Sequence, residues 1–170
     1  MPDYPNPESR AVTERNKAIM RKLLVAYSVG DTTAIDQFFD PNIVTRSVHP
    51  IVGGGGPGAT GGLDALKKEM VLPLQAFPDG HFREEYIISE GDMVVLGWHF
   101  EGTYSGELYG KQGTGTKVVV EGAEIARFKN FKIIEHWDHF SKPRLESLVI
   151  LQLLDQPLRQ RLEARGMMSQ

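Results

Sequence analysis

Two strand-like runs stand almost end to end in the second half of the chain, Thr116 to Lys129 (TKVVVEGAEIARFK) and Phe131 to Phe140 (FKIIEHWDHF), with little more than Asn130 between them. That short connection constrains the fold more than any other feature. Parallel strands need a crossover of a dozen or more residues, so these runs can pair only as an antiparallel hairpin. The same logic extends backwards. Phe82 to Ser89 and Met93 to Tyr104 are strand-like and meet at the tight turn Glu90-Gly91-Asp92. A glycine-spaced loop, Ser105 to Gly115, leads on to the hairpin. This half of the chain reads as an antiparallel meander.

The first half is helical. From about Glu8 to Val29, the apolar set Val12, Ile19, Leu23, Ala26 and Tyr27 recurs at roughly three- and four-residue steps. That is one face of an amphipathic helix, and Gly30 stops it. Asp31-Thr32-Thr33 is an N-cap cluster for a short second helix, with Ile35, Phe38 and Phe39 on its buried side and Asp40-Pro41 at its end. Asn42 to Val48 reads as a short strand. Leu63 opens a third helix running to about Phe77, which Pro73 bends or interrupts. A last helix, broken by Pro157, spans Ser147 to about Arg165. Helices first and a meander after them make an α+β domain, one helical layer on a curved sheet. A chain of 170 residues, 41% of them hydrophobic, suits one such core.

Between the first strand and the third helix lies GGGGPGATGG, residues 53 to 62, which contains G-x-G-x-x-G. As a dinucleotide fingerprint it requires a βαβ unit and an acidic residue roughly 20 positions on. Asp79 is near that spacing, but Pro78 and Gly80 place it in a turn. Seven glycines in ten residues produce the match by composition, and a flap beside a pocket is the better functional reading. Other classes fall away as well. The net charge is −3 with scattered basic residues, giving no nucleic-acid footprint. Cysteine is absent, so thiol chemistry and Cys-type zinc sites are excluded. Neither a signal peptide nor a run of ~18 apolar residues is present, and a soluble, cytoplasmic protein without membrane contact is expected.

Chemistry concentrates in IIEHWDHF, residues 133 to 140. Alternate strand residues share a face, so Ile134, His136 and Asp138 point one way and Glu135, Trp137 and His139 the other. A His and an Asp on one face form an acid–base site if that face lines a cavity, and otherwise decorate a solvated edge. On the partner strand Gly122, Glu124 and Ala126 share a face, a small-charged-small pattern suited to a cavity wall. Glu124 then opposes His136 or Asp138, or lies on the surface in a salt bridge. Val94, Leu96, Trp98 and Phe100 face inward, which turns His99 outward. Tyr104 either donates its hydroxyl to a substrate oxygen or caps the core. His49, just before the glycine run, sits where a flap would meet a pocket or is simply exposed. No H-x-H, H-x-x-x-H or H-E-x-x-H spacing specifies converging metal ligands, so no metal is expected.

The opening ERNKAIMRKLLVAYSVGDTTAIDQFFDPNIV, the helix LDALKKEMVLPLQAFPD, the strand pair ISEGDMVVLGWHFEGTYSGELYG and the hairpin EIARFKNFKIIEHWDHF together resemble the SnoaL-like polyketide cyclase family of the nuclear transport factor 2-like superfamily. The likeness divides the chain into an N-terminal arm (1–13), a SnoaL-like domain (14–154) and a helical C-terminal extension (155–170). It implies a cone of helices on a strongly curved antiparallel sheet, with a pocket at the open end. It further implies metal- and cofactor-free ring closure, with Asp138 at the position of the family's acid/base aspartate. Glu124 stands where well-known members carry a histidine.

The resulting expectation is a cofactor-independent cyclase or isomerase of a hydrophobic carbonyl compound, polyketide- or terpenoid-like. Asp138, His136 and Glu124 form its catalytic set, and Tyr104, Trp98, Phe100, His49 and Tyr27 its substrate contacts. A homodimer through the convex sheet face, with Trp137 and His99 outward, is implied by the resemblance. A non-catalytic ligand-binding or dimerisation module, and a hydratase or dehydratase using the same pocket, remain as alternatives.

Overall fold

A computed structural model of the chain describes residues 7–46, 62–108 and 111–140. In order these form α1 (Pro7–Val29), α2 (Thr33–Phe38), β1 (Phe39–Thr45), α3 (Gly62–Ala76), β2 (His81–Glu90), β3 (Met93–Tyr104), β4 (Glu107–Leu108), β5 (Lys111–Gln112), β6 (Thr116–Lys129) and β7 (Lys132–Phe140). His49, the glycine run up to residue 61, the start of the N-terminal arm and the C-terminal extension lie outside the described residues.

The helix boundaries follow local chemistry. Pro7 begins α1, where its missing N–H is no loss. Gly30 ends it with φ +70, and the Asp31 N–H reaches back to the Ala26 carbonyl at 3.0 Å, a Schellman closure. The Asp31 carboxylate accepts from the backbone N–H and the hydroxyl of Thr33, at 3.1 and 2.6 Å, and so caps α2. Thr32, at the formal N-cap position, makes no side-chain cap. Pro73 is accommodated inside α3, which runs on to Ala76.

The large sheet has the order β1-β7-β6-β3-β2. The meander β2-β3-β6-β7 is antiparallel throughout, as the short connections require. One pairing departs from the wholly antiparallel expectation: β1 lies parallel to β7, with Thr45 beside His136 and the Arg46 N–H donating to the His136 carbonyl at 2.8 Å. The sheet is therefore mixed and open. A parallel neighbour so remote in sequence leaves no trace in periodicity. It also disposes of the βαβ unit, because β1 and β2, which flank α3 in the chain, occupy opposite edges. Asp79 is a turn residue, as expected, and its carboxylate accepts the backbone N–H and the hydroxyl of Thr103 at 2.6 and 2.7 Å.

The core fills the space between the helices and one sheet face. Met20 and Leu23 of α1, Ile35 of α2 and Met70 of α3 are buried with Val94, Leu96, Trp98 and Phe100 of β3 and Val118, Val120, Ala126 and Phe128 of β6. A bidentate pair, Arg21 to Glu84 at 2.8 and 2.9 Å, ties α1 to β2 above this layer. The β6–β7 turn has two residues, Asn130 and Phe131, where the sequence suggests little more than Asn130. Asn130 and Phe131 both take left-handed conformations, φ 50 and 62, the type I′ pattern of two-residue hairpins. Asn adopts that region readily and Phe does not, so Phe131 carries strain. Its ring packs under the Arg15 guanidinium, 3.7 Å from centroid to Cζ, a cation–π contact that holds the turn against α1.

Candidate active site

The hairpin register decides what meets on its inner face. Counting from the turn, Lys129 pairs with Lys132 and Phe128 with Ile133. Continued without interruption, that register would set Glu124 opposite Trp137. Ile134 is instead an extra residue, a β-bulge, so Arg127 pairs with Glu135, Ala126 with His136 and Glu124 with Asp138. Paired residues share a face, so the bulge is what brings Glu124 to the side of His136 and Asp138. It also gives the deep core position on β7 to Ile133, fully buried, while Ile134 is only partly covered.

The result is a compact three-residue cluster. His136 Nε2 lies 3.4 Å from Asp138 Oδ1 and 3.7 Å from Glu124 Oε2. The side chains of His136 and Glu124 are 2% and 9% exposed, and that of Asp138 is 17% exposed. Ala126, opposite His136, leaves room for the imidazole, and Phe39 meets it edge-on with ring centroids 5.6 Å apart. Burial pushes the Asp138 carboxyl up from its ordinary 3.8, and the negative charge of Glu124 pushes the same way; His136 and His139 oppose them. A proton held on or near this carboxylate, a second carboxylate and an imidazole between them constitute the elements of proton transfer. The chemistry of the donor set is also that of a metal site, since one atom from each residue lies within 4.8 Å of the other two.

The remaining candidates are distributed along β3 and α1. Trp98 is buried one register step from the cluster, its indole lying over Gly122, its partner on β6. The space that Gly122 was expected to leave open as cavity wall is thus taken by Trp98. Phe100, two residues further, stacks with Phe82 (4.8 Å) and Phe77 (5.4 Å), and Tyr27 meets Phe82 at 6.3 Å. These rings form a continuous aromatic layer. Tyr104 is 1% exposed against Phe77 and pairs with Thr116, eight residues along β3 from Leu96, which faces Glu124. At about 3.3 Å per residue that is roughly 26 Å from the cluster. Burial raises its phenol above the usual 10.0, with Glu107 adding to the shift, so it stays neutral. The structure therefore does not bring Tyr104 to the cluster. His99 faces outward as expected, between Glu101 and Glu121 at 3.9 Å from each.

Helical periodicity assigns Phe39 to α2, whereas Phe39 begins β1, which runs parallel to β7 and so sets its ring against the imidazole. A groove of about 230 Å³ between α1 and α2, lined by Lys22, Val25, Val29 and Phe38 among others, includes none of the three cluster residues.

With this geometry in hand, comparison with known proteins is informative. The family model of the SnoaL-like polyketide cyclases matches residues 17–147. AclR from Streptomyces galilaeus, named as a candidate hydroxylase, is 26% identical over 91% of this chain and 94% of its own, with a TM-score of 0.68. IdmH from Streptomyces antibioticus, named as a candidate polyketide cyclase, is 21% identical over 81% of this chain and 97% of its own, with a TM-score of 0.66. A SnoaL-like polyketide cyclase from Agrobacterium tumefaciens is 18% identical over 82% and 98%, with a TM-score of 0.60. The last two show likeness of fold. No curated protein matches the sequence. No described helix is long and apolar enough to cross a membrane.

Proposed function

This chain belongs to the SnoaL-like polyketide cyclase family, and we propose on that premise that it is a cofactor-independent cyclase or isomerase. Its substrate is a hydrophobic carbonyl compound from which it withdraws an acidic α-proton. One observation carries the reading: Asp138, the most accessible of three clustered ionisable groups, sits 3.4 Å from an imidazole that is itself 2% exposed. The Asp138 carboxylate takes the proton, and its raised pKa makes it a stronger base than an ordinary aspartate. His136, between the two carboxylates, relays the proton or holds it while the enolate reacts. Glu124 places a second carboxylate oxygen 3.7 Å from the same imidazole nitrogen. Trp98 and the aromatic layer behind it supply the apolar surroundings in which such polar contacts gain strength.

Two features support the catalytic reading over a ligand-holding module. A solvated binding surface would leave these groups exposed and titrating normally, and Asp138 does neither in full. The name of AclR, a candidate hydroxylase, points to a different product, but withdrawal of a proton from an activated carbon is a first step both reactions can share. The same reading includes a homodimer through the convex sheet face, supported by the exposed apolar side chains of Tyr86, Ile88 and Val119 there.

Proton NMR of β-keto esters and cyclic ketones in deuterated water tests the assignment. Wild type should accelerate α-proton exchange, and Asp138→Asn should lose about 100-fold or more of that acceleration. Equal rates for the two proteins would remove Asp138 from the role.

A further inference from the structure

We infer that Glu124, His136 and Asp138 also form a site for one divalent transition-metal ion, for which zinc is the best match. The geometry supports this directly. A tetrahedral zinc ion with bonds of about 2.1 Å sets its ligands about 3.4 Å apart. The imidazole nitrogen is already 3.4 Å from one carboxylate oxygen and 3.7 Å from the other, and all three donor atoms lie within 4.8 Å. Rotation of one carboxylate closes the remaining edge. Ionised, the two carboxylates carry two negative charges, which a dication neutralises in a place where water does so poorly. The nitrogen donor favours zinc or cobalt over magnesium and calcium, which take all-oxygen shells of six or more ligands. Three protein ligands leave a fourth position open, and Asp138, 17% exposed, is the most accessible of the three. The donors are mounted on paired strands, with Ala126 and Phe39 bounding the imidazole, so little ordering is needed on binding.

This inference does not rest on the proton-withdrawal reading and competes with it for the same lone pairs. A zinc ion held by Asp138 and His136 blocks both as proton acceptors, so an occupied site is a silenced base.

The test uses untagged full-length protein freed of metal with a chelator and titrated with zinc chloride by calorimetry. Cobalt chloride serves as an optical probe of coordination. Wild type should bind one zinc per chain with micromolar or tighter affinity and give cobalt ligand-field bands in the visible. His136→Gln and Glu124→Gln should each weaken zinc by at least about tenfold. Circular dichroism checks that the variants fold, and the wild-type cobalt spectrum stands if one of them does not. The convex face provides the control, since His81 and His99 flank Glu101 at 3.1 and 3.9 Å. His99→Gln should leave binding unchanged. Absence of stoichiometric binding and of cobalt bands overturns the inference. So does binding that survives His136→Gln and disappears with His99→Gln. Binding needs no substrate, so a missing α-proton exchange leaves the zinc result standing. Where exchange is found, it should fall in proportion to zinc occupancy, and exchange indifferent to bound zinc also overturns the inference.

Discussion

Glu124 and Asp138 face each other across the β6–β7 pair, and the same nitrogen of His136 lies between their carboxylates at 3.7 and 3.4 Å. Burial does most to raise the Asp138 carboxyl's pKa, and both neighbours act on it as well: the His136 charge opposes the rise and the Glu124 charge adds to it.

The first prediction concerns Glu124. Its charge is one cause of the raised Asp138 pKa, so Glu124→Gln should lower that pKa. In metal-free protein, the acidic limb of the α-proton exchange profile should move to lower pH. The plateau rate should fall by roughly tenfold or less, because the base is weaker. An acidic limb left in place would mean that Asp138 is not the group being titrated.

A second prediction follows from linkage. A carboxyl whose folded-state pKa is raised contributes stability in full below its ordinary value, 3.8, and loses it as pH rises through the folded value. Asparagine cannot ionise. Asp138→Asn should therefore melt at least about 2 °C above wild type at neutral pH, and the gain should shrink as the medium is acidified towards the ordinary aspartate pKa. Thermal melts at a series of pH values decide it; a gain that grows on acidification has the wrong sign.

Two glycines separate tight packing from mere proximity. A Cβ on Gly122 would come within 2.5 Å of Trp98 Cζ2 and 2.7 Å of the His139 carbonyl oxygen, both firmly held. A Cβ on Gly97 would meet the ring of Tyr86, which is 51% exposed and free to swing outward. Gly122→Ala should cost about 1–3 kcal/mol in denaturant unfolding, and Gly97→Ala clearly less. The reverse order would show that the indole is not fixed over β6.

Association is tested on the convex face. Ile88, 61% exposed, pairs with Val95 on that side of the sheet. Ile88→Glu should halve the mass seen by sedimentation, without lowering the melting temperature of the separated chain. A mass unchanged from wild type, whether monomer or dimer, would place the contact elsewhere or nowhere.

Sequence patterning was a good guide wherever structure is local. The limits of β3 and β6 match the alternating runs Met93–Tyr104 and Thr116–Lys129, because turn glycines and period-two burial define them from within. The inward set Val94, Leu96, Trp98 and Phe100 and the outward His99 follow from the same alternation. The meeting of His136 and Asp138 needed only one strand. The meeting of Glu124 with them needed a register, and the residue that sets it, Ile134, has no compositional mark. Phe131 reads as a strand residue although it occupies a left-handed turn position, since Arg15, which packs on it, is more than a hundred residues away in the chain. Tyr104 reads as a substrate donor at a strand end, and its neighbours Phe77 and Thr116 are set by tertiary packing and strand pairing that local pattern does not encode.

The extra residue in β7 also makes the cluster depend on how the strand pairs and not on its length. A hairpin one residue shorter there would keep its turn and the Phe128–Ile133 pair, and with them that end of the core. Without the extra residue, regular pairing onward from Ile133 would still set Ala126 against His136 and Glu124 against Asp138, so the shortened strand would keep its cluster. A strand that kept its length and lost the bulge would instead pair Glu124 with Trp137 and turn His136 and Asp138 to the outer face, with every ionisable side chain still present in the sequence. Among chains of this fold, the pairing of the last hairpin, and not its length alone, tells an assembled cluster from a dispersed one.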